Sequence, residues 1–256
     1  MTVETITGKH NALLTHLRKL ASSRAYRYEC GEYLGDGTKL LFEALKWGAP
    51  LVTVVVSEDV PVPELPEGVR AVRLGRELMR SVSPAETPQG ALFTARIDRE
   101  PLPERLDGRR YLVLDGVQDP GNVGTILRTA DAFDCEGVFL VNACADRFNP
   151  KTVRATMGAV FRVRAWSCTV PELAGLLRRS GIPLYGAALR GDTVPLSGVD
   201  LSRAAVAIGS EGRGLGAELL SACEGTIRIP MSARCESLNA ATAAGVVLWE
   251  MYRNNG

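Results

Sequence analysis

Leu112-Val-Leu-Asp115-Gly116-Val-Gln-Asp119-Pro-Gly-Asn122-Val-Gly-Thr-Ile-Leu-Arg128-Thr-Ala sets a short apolar run, a loop with glycine and proline, and a helix-like run in immediate succession. An apolar run bounded by turn residues predicts a buried strand, Tyr111 to Leu114, and a helix follows over Val123 to Phe133. Working outward, strands are expected at Gly137 to Val141, Phe161 to Ala165, Pro183 to Ala187, Ala205 to Ile208 and Thr226 to Ile229. Helices are expected near Lys151, over Pro171 to Ser180, near Leu215 to Ala222 and from Ser237 to Arg253. Strands alternating with helices predict an α/β fold with a mostly parallel sheet covered on both faces.

Ligands of an open parallel sheet gather beyond the carboxyl ends of its strands. Leu112–Asp115 runs into Gly116–Asn122, Ala205–Ile208 into Gly209-Ser-Glu211-Gly-Arg-Gly214, and Ile227–Ile229 into Pro230-Met-Ser, so the three loops are expected at one pocket. Each also has a plainer reading. Asp119-Pro-Gly-Asn122 suits a turn with Asn122 as helix N-cap, and Arg128, about 1.7 helical turns further on, suits a solvated helix face. The glycine loop at 209–214 matches neither the dinucleotide fingerprint nor the phosphate loop, so neither NAD nor ATP is supported, and by itself it fits a tight turn with a solvated Glu211. Ser237 is expected to cap the last helix, whereas Asn239, a poor helix former in an apolar helix, asks for a polar task.

Upstream, Leu13, Leu14, Leu17 and Leu20 fall at helical spacing. A helix over Thr38 to Trp47, strands at Leu51 to Val56, Val69 to Leu74 and Gln89 to Ala95, and a helix over Arg76 to Ser81 complete a small α/β layer. Glu100-Pro-Leu-Pro-Glu-Arg-Leu-Asp-Gly108 reads as a linker, giving domains 1–99 and 110–256 joined by 100–109. At 256 residues, 46% hydrophobic and 23% charged, the composition is that of one large or two modest globular domains. No apolar run approaches the roughly 20 residues of a membrane span and no signal peptide is evident, so the chain is expected in the cytoplasm. The six cysteines form no Cys-x-x-Cys pair and are expected as reduced, mostly buried thiols; His10 and His16 lack metal-motif spacing, so no metal is expected. A net charge of +1 argues against broad nonspecific nucleic-acid binding. Lys9, Arg18, Lys19, Arg24 and Arg27 nevertheless fall in a stretch without acids, and Arg147, Lys151, Arg154, Arg162 and Arg164 in another, each a phosphate-contacting face or a solvated one.

In order and content, Asn122-Val-Gly-Thr-Ile-Leu-Arg128, Ile208-Gly-Ser-Glu211-Gly-Arg-Gly-Leu and Ile229-Pro-Met-Ser-Ala-Arg-Cys-Glu-Ser237-Leu-Asn239-Ala-Ala resemble the SpoU/TrmH family of RNA ribose 2′-O-methyltransferases, within the SPOUT superfamily. Leu17-Arg-Lys-Leu, Gly37-Thr-Lys-Leu-Leu-Phe-Glu-Ala-Leu45 and Ser83-Pro-Ala-Glu-Thr-Pro-Gln-Gly90 are similar to that family's N-terminal substrate-binding module, itself like certain ribosomal proteins. Gly35-Asp-Gly departs from the pattern, since relatives commonly carry a hydrophobic residue and glutamate before the glycine. The resemblance implies a C-terminal trefoil knot in the sheet, a small ribosomal-protein-like RNA-binding domain before it, S-adenosyl-L-methionine as cofactor, a homodimer, and structured RNA as substrate, 23S ribosomal RNA ahead of transfer RNA. It also implies a catalytic set of Asn122, Arg128, Glu211, Ser237 and Asn239, with Gly209, Ile229 and Leu238 holding the cofactor and Lys9, Arg18, Lys19, Arg24, Arg27, Arg147, Lys151 and Arg154 available to RNA. Two rivals stand beside it: a noncatalytic RNA-binding ribosome-assembly factor on the same fold, and methylation of a base carbon through Cys235.

Overall fold

The computed structural model describes residues 2–190, 193–232, 234–235 and 237–253; Ala233 and Glu236 of the third motif lie outside them. The chain divides into two compact units, Met1–Arg99 with Asp146–Phe161, and Glu100–Ala145 with Arg162–Gly256.

The first unit runs through β1 (Val3–Ile6), α1 (Ala12–Ser22), α2 (Arg24–Cys30), β2 (Glu32–Asp36), α3 (Thr38–Lys46), β3 (Leu51–Ser57), β4 (Arg70–Leu74), α4 (Arg76–Val82) and β5 (Ala91–Arg96). Its strands form one sheet in the order β1-β4-β3-β5-β2, parallel among β1, β4 and β3 and antiparallel where β5 meets β3 and β2. Asn11 starts α1 by accepting the Leu13 N–H, which puts Leu13, Leu14, Leu17 and Leu20 on one buried helix face. These leucines cluster with Val55, Val72 and Leu74, while Leu40, Leu41 and Ala44 of α3 cluster with Val54, Val56 and Phe93, as period-2 alternation along β3 requires.

The second unit begins with β6 (Arg110–Asp115), α5 (Pro120–Ala132) and β7 (Gly137–Val141). The chain then contributes Asp146–Phe161, with α6 (Pro150–Ala155), to the first unit. It returns as β8 (Ala165–Ser167), α7 (Val170–Ser180), β9 (Leu184–Ala187), β10 (Val194–Pro195), β11 (Ala204–Gly209), α8 (Ala217–Ala222), β12 (Gly225–Arg228) and α9 (Ala240–Arg253). The strand order is β10-β12-β9-β11-β6-β7-β8 and every pairing is parallel. β6, β7 and β11 are buried along almost their whole length, which is why they read as unbroken apolar runs. From β6 the chain moves on to β7 at one side, while β11 occupies the other. The register sets Asp115 opposite Gly209, so the two strands end level and their loops diverge, the arrangement that opens a crevice.

Several elements depart from expectation. β1, α2, β2 and β10 have no legible pattern; Glu32-Tyr-Leu-Gly-Asp36 has charged ends and an interior glycine. The strand expected over Phe161 to Ala165 is displaced to β8, because Ala159–Phe161 is a 3₁₀ turn whose Phe161 packs into the first unit's core. Arg162 instead binds Asp131, with Nη2 2.7 Å from Oδ2. The placement of Asp146–Phe161 in the first unit follows from Phe148 and Val153, which join the α3 core cluster, and from Asp146. Its Oδ2 accepts from Arg27 Nη2 at 2.7 Å and Nε at 3.0 Å, and its Oδ1 accepts from the Tyr28 hydroxyl at 3.0 Å. Arg27, expected at an RNA-contacting surface, is 2% exposed and also donates to the Leu20 carbonyl. That expectation is therefore corrected: the guanidinium is spent on a buried ion pair, and such a charge stays in an apolar core only when paired and hydrogen-bonded.

Candidate active site

The site is built from the loops after β6 and β11 and the start of α9. Asp119, rather than Asn122, caps α5; its Oδ1 accepts the Asn122 N–H at 2.8 Å, and Pro120 occupies the first helical turn. Asn122 is thus inside the helix with its side chain turned to the crevice, where Nδ2 donates to Glu211 Oε1 at 2.9 Å. α9 begins at Ala240, so Ser237 is not its cap either. Asn239 is, with Oδ1 accepting from the N–H groups of Ala241 at 2.9 Å and Thr242 at 3.3 Å. This capping settles which way the Asn239 amide faces. Its Nδ2 must point outward, and it donates to Glu211 Oε1 at 2.5 Å and Asn122 Oδ1 at 3.2 Å. Glu211 Oε1 accepts the Ala240 N–H as well, at 3.3 Å. Three residues far apart in sequence therefore form one directional network around a carboxylate.

Two clefts flank that carboxylate. One, of about 400 Å³, is lined by Asp115, Asn122, Asn142 and Glu211; the other, of about 440 Å³, by Ile208, Gly209, Leu215, Ile227, Ile229 and Leu238, with Ser237 and Glu211 at its wall. Both volumes suit a small molecule, and the second has the apolar walls such sites usually have. Gly209 is required there: an added Cβ would stand 2.2 Å from the Gly214 carbonyl carbon, because the chain folds back so that Gly214 N–H donates to Ser210 O at 2.9 Å. Asp115 was invisible as a site residue because it reads as a strand end. Buried, it accepts from Gly216 N–H at 2.7 Å and from Asn142 Nδ2 at 2.9 Å, tying three loops together. Asn142 follows β7 with a left-handed backbone, φ 52°, a conformation that asparagine tolerates. Arg128 is exposed on α5, and its side chain makes no hydrogen bond or ion pair among the described residues.

A family model described as the SpoU rRNA Methylase family matches residues 109–249, and one described as an MRM3-like substrate binding domain matches residues 11–92. The chain belongs to the SpoU rRNA methylase family. The 23S rRNA (guanosine(2553)-2'-O)-methyltransferase RlmP of Bacillus subtilis is 31% identical over 96% of this chain and 98% of its own. An AdoMet-bound rRNA methyltransferase from Sinorhizobium meliloti superposes with a TM-score of 0.87 at 28% identity, over 98% of both chains. The SpoU methyltransferase AviRb of Streptomyces viridochromogenes, in complex with AdoMet, gives 0.83 at 26% identity over 95% of this chain and 98% of that one.

Within this SpoU-family chain the expected basic residues fare unequally, and all lie in the first unit. Lys9 pairs with Glu77 at 2.8 Å, and Arg18 donates to the Ser81 hydroxyl at 3.0 Å. Lys19 and Arg24 lie over the rings of Tyr26 and Tyr28, 5.2 and 5.6 Å from their centroids. Arg147 is half-buried against Phe148 and donates to the Asp98 carbonyl, its pKa lowered by burial. Lys151 and Arg154 are exposed beside a cleft of about 480 Å³. Burial pushes the Cys144 and Cys223 thiols up to about 11, whereas Cys30 and Cys235 are exposed.

Proposed function

We propose that this chain transfers a methyl group from S-adenosyl-L-methionine to a ribose 2′-hydroxyl of structured RNA, with 23S ribosomal RNA as substrate. The observation that carries the reading is the Glu211 carboxylate, gripped by Asn122 and Asn239 at the wall shared by two clefts. The family and the AdoMet-bound relatives support the cofactor and reaction class.

The apolar cleft takes the cofactor, with Gly209, Ile229 and Leu238 presenting backbone and small apolar surface to it. When bound, the cofactor supplies an activated methyl on a positively charged sulfur. The chain's own task is to position the ribose, since orientation alone removes much of a bimolecular barrier. Asn122, Asn239 and Glu211 form a pre-set polar rim whose amide orientations are fixed by the α9 cap, and Ser237 stands beside it. Arg128 grips the neighbouring phosphate and stabilises the alkoxide that develops at O2′, while a phosphate oxygen or water takes the proton. A guanidinium holds its proton too firmly to act as the base itself.

Residues 1–99 serve as the RNA substrate-binding domain, 100–109 as linker and 110–256, apart from the Asp146–Phe161 segment that packs into the first unit, as the methyltransferase domain, whose C-terminal part the family implies is threaded as a trefoil knot. A homodimer through α9 is supported by exposed Trp249 and Tyr252, stacked on each other, with Phe133 edge-on to the Trp249 ring. No described helix is long and apolar enough to cross a membrane, in keeping with work in the cytoplasm. The test is transfer of labelled methyl to total RNA by wild type, Asn122→Ala and Glu211→Ala, followed by nucleoside analysis. Label in a 2′-O-methylated nucleoside, lost in both variants, is expected; cofactor binding with no transfer to any RNA would favour an assembly factor.

A further inference from the structure

We propose that the exposed face of α3, where Phe42 and Trp47 are flanked by Lys39 and Lys46, is a stacking surface for the unpaired bases of single-stranded RNA. The proposal rests on the RNA-methylating reading above and gives its substrate a second point of attachment, on the first unit.

Three large hydrophobic side chains of that unit are exposed among the described residues: Phe42 at 62%, Trp47 at 50% and Met157 at 45%. Phe42 and Trp47 border one strip of α3: five residues apart at 3.6 per turn, they stand about 140° from each other, with Lys39 and Lys46 falling between them. Phe42 lies on α3 and Trp47 at its C-cap, and Met157 sits in the turn that abuts α3, since a Cβ on the next residue, Gly158, would come within 2.9 Å of Glu43 Cβ. Met157 has a left-handed backbone, φ 50°, uncommon for a bulky residue. The helix does not need Phe42 for its own packing, because Leu40, Leu41 and Ala44 supply the buried face.

Charge says what covers these rings. Lys39 and Lys46 stand three residues before and four after Phe42, so both neighbour it on the helix surface, and Lys46 Nζ is 5.8 Å from the Trp47 ring centroid. Glu43, the one acid in α3, is half-buried towards Gly158. Alternating rings and cations match a single strand, whose bases offer π-faces and whose backbone carries one phosphate per nucleotide. A protein partner fits less well, because lysine is depleted from protein interfaces while aromatic residues are enriched. Duplex RNA hides its base faces and would gain little from the rings.

The experiment is fluorescence anisotropy of the full chain with a labelled short oligouridylate and with a blunt RNA duplex. Wild type is expected to favour the oligouridylate. Phe42→Ala and Trp47→Ala should each weaken it about tenfold, the effect of losing one stacked base, and Lys46→Gln should lower the salt slope by about 0.7. Phe42→Trp should keep the affinity. Because the rings are exposed, melting curves should be unchanged, and methyl transfer by Phe42→Ala should show a raised KM for RNA at wild-type kcat. Equal affinity of wild type and both alanine variants, or equal binding of duplex, overturns the proposal. So does a change of sedimentation in the Phe42→Ala, Trp47→Ala double variant, which marks the face as a protein contact. Ring-independent binding with methyl transfer intact sinks this proposal alone. Ring-dependent binding by a wild type that methylates no RNA sinks the methyltransferase reading alone.

Discussion

The two units handle polar residues in opposite ways. In the second, Asn122, Glu211 and Asn239 are each of little use alone, and their hydrogen bonds to one another fix orientation. In the first, charged residues are spread out and tied locally: Arg27 to Asp146 in the core, Lys9 to Glu77 and Arg18 to Ser81 on the surface, with Lys151 and Arg154 edging a cleft of their own. A pre-organised network can stabilise a transition state because reorientation has already been done. Dispersed cations can only attract and hold. The difference teaches where a substitution should change rate and where it should change affinity or stability.

The sharpest way to break this contrast is Glu211→Gln, which keeps the shape but swaps the acceptor for an amide. Methyl transfer should fall about 100- to 1,000-fold, the size seen when a pre-organised polar group is lost. Calorimetry should show cofactor affinity little changed; a variant that transfers at near wild-type rate would mean the network is only structural. Next comes the ion pair. Asp146→Ala leaves Arg27 charged and unpaired in the core and should cost about 3–5 kcal/mol in urea denaturation. Cofactor binding by the second unit should survive it. A smaller effect separates the two α9 candidates: Asn239→Ala removes a helix cap worth about 1 kcal/mol, whereas Ser237→Ala should stay within about 0.5 kcal/mol. Equal costs would return the cap to Ser237.

The smallest effect is a pH dependence. His16 hydrogen-bonds Glu32 at 3.3 Å and holds its carboxyl below the ordinary value of 4.5. A depressed carboxylate favours the folded state above its unfolded pKa and loses that contribution as pH falls through about 4.5 and below. For a partly exposed pair the gain is under about 1 kcal/mol. His16→Gln should therefore flatten the acid limb of stability against pH while leaving stability near neutrality almost unchanged; an unaltered acid limb would remove this pair from the account.

Much of the second unit was legible because its central strands are buried on both faces and its loops follow them directly, so that Leu112–Asp115 and Ala205–Ile208 announce themselves and their functional ends. The caps were misread by a few residues at both α5 and α9, for one reason. Asp119 and Asn122, or Ser237 and Asn239, are equally good capping types, and only the hydrogen bonds decide between them. Asp115 was missed because its partners lie 27 and 101 positions away. Arg27 was misread for the same cause: its acid is 119 positions distant, and local charge counting cannot find it. The edge strands β1 and β10 carry too few buried residues to leave a pattern.

Asn122 and Asn239 meet across 117 positions, and Asp115 reaches Gly216 across 101. On a ribosome, where chains emerge from the N-terminus and fold as they appear, the carboxylate can be clamped only after α9 is out. Contacts so distant along the chain also form slowly. On the reading proposed above, a nascent chain completes its RNA-holding unit at Phe161, well before the Glu211 network can close, and a product ending before residue 239 should bind RNA without modifying it.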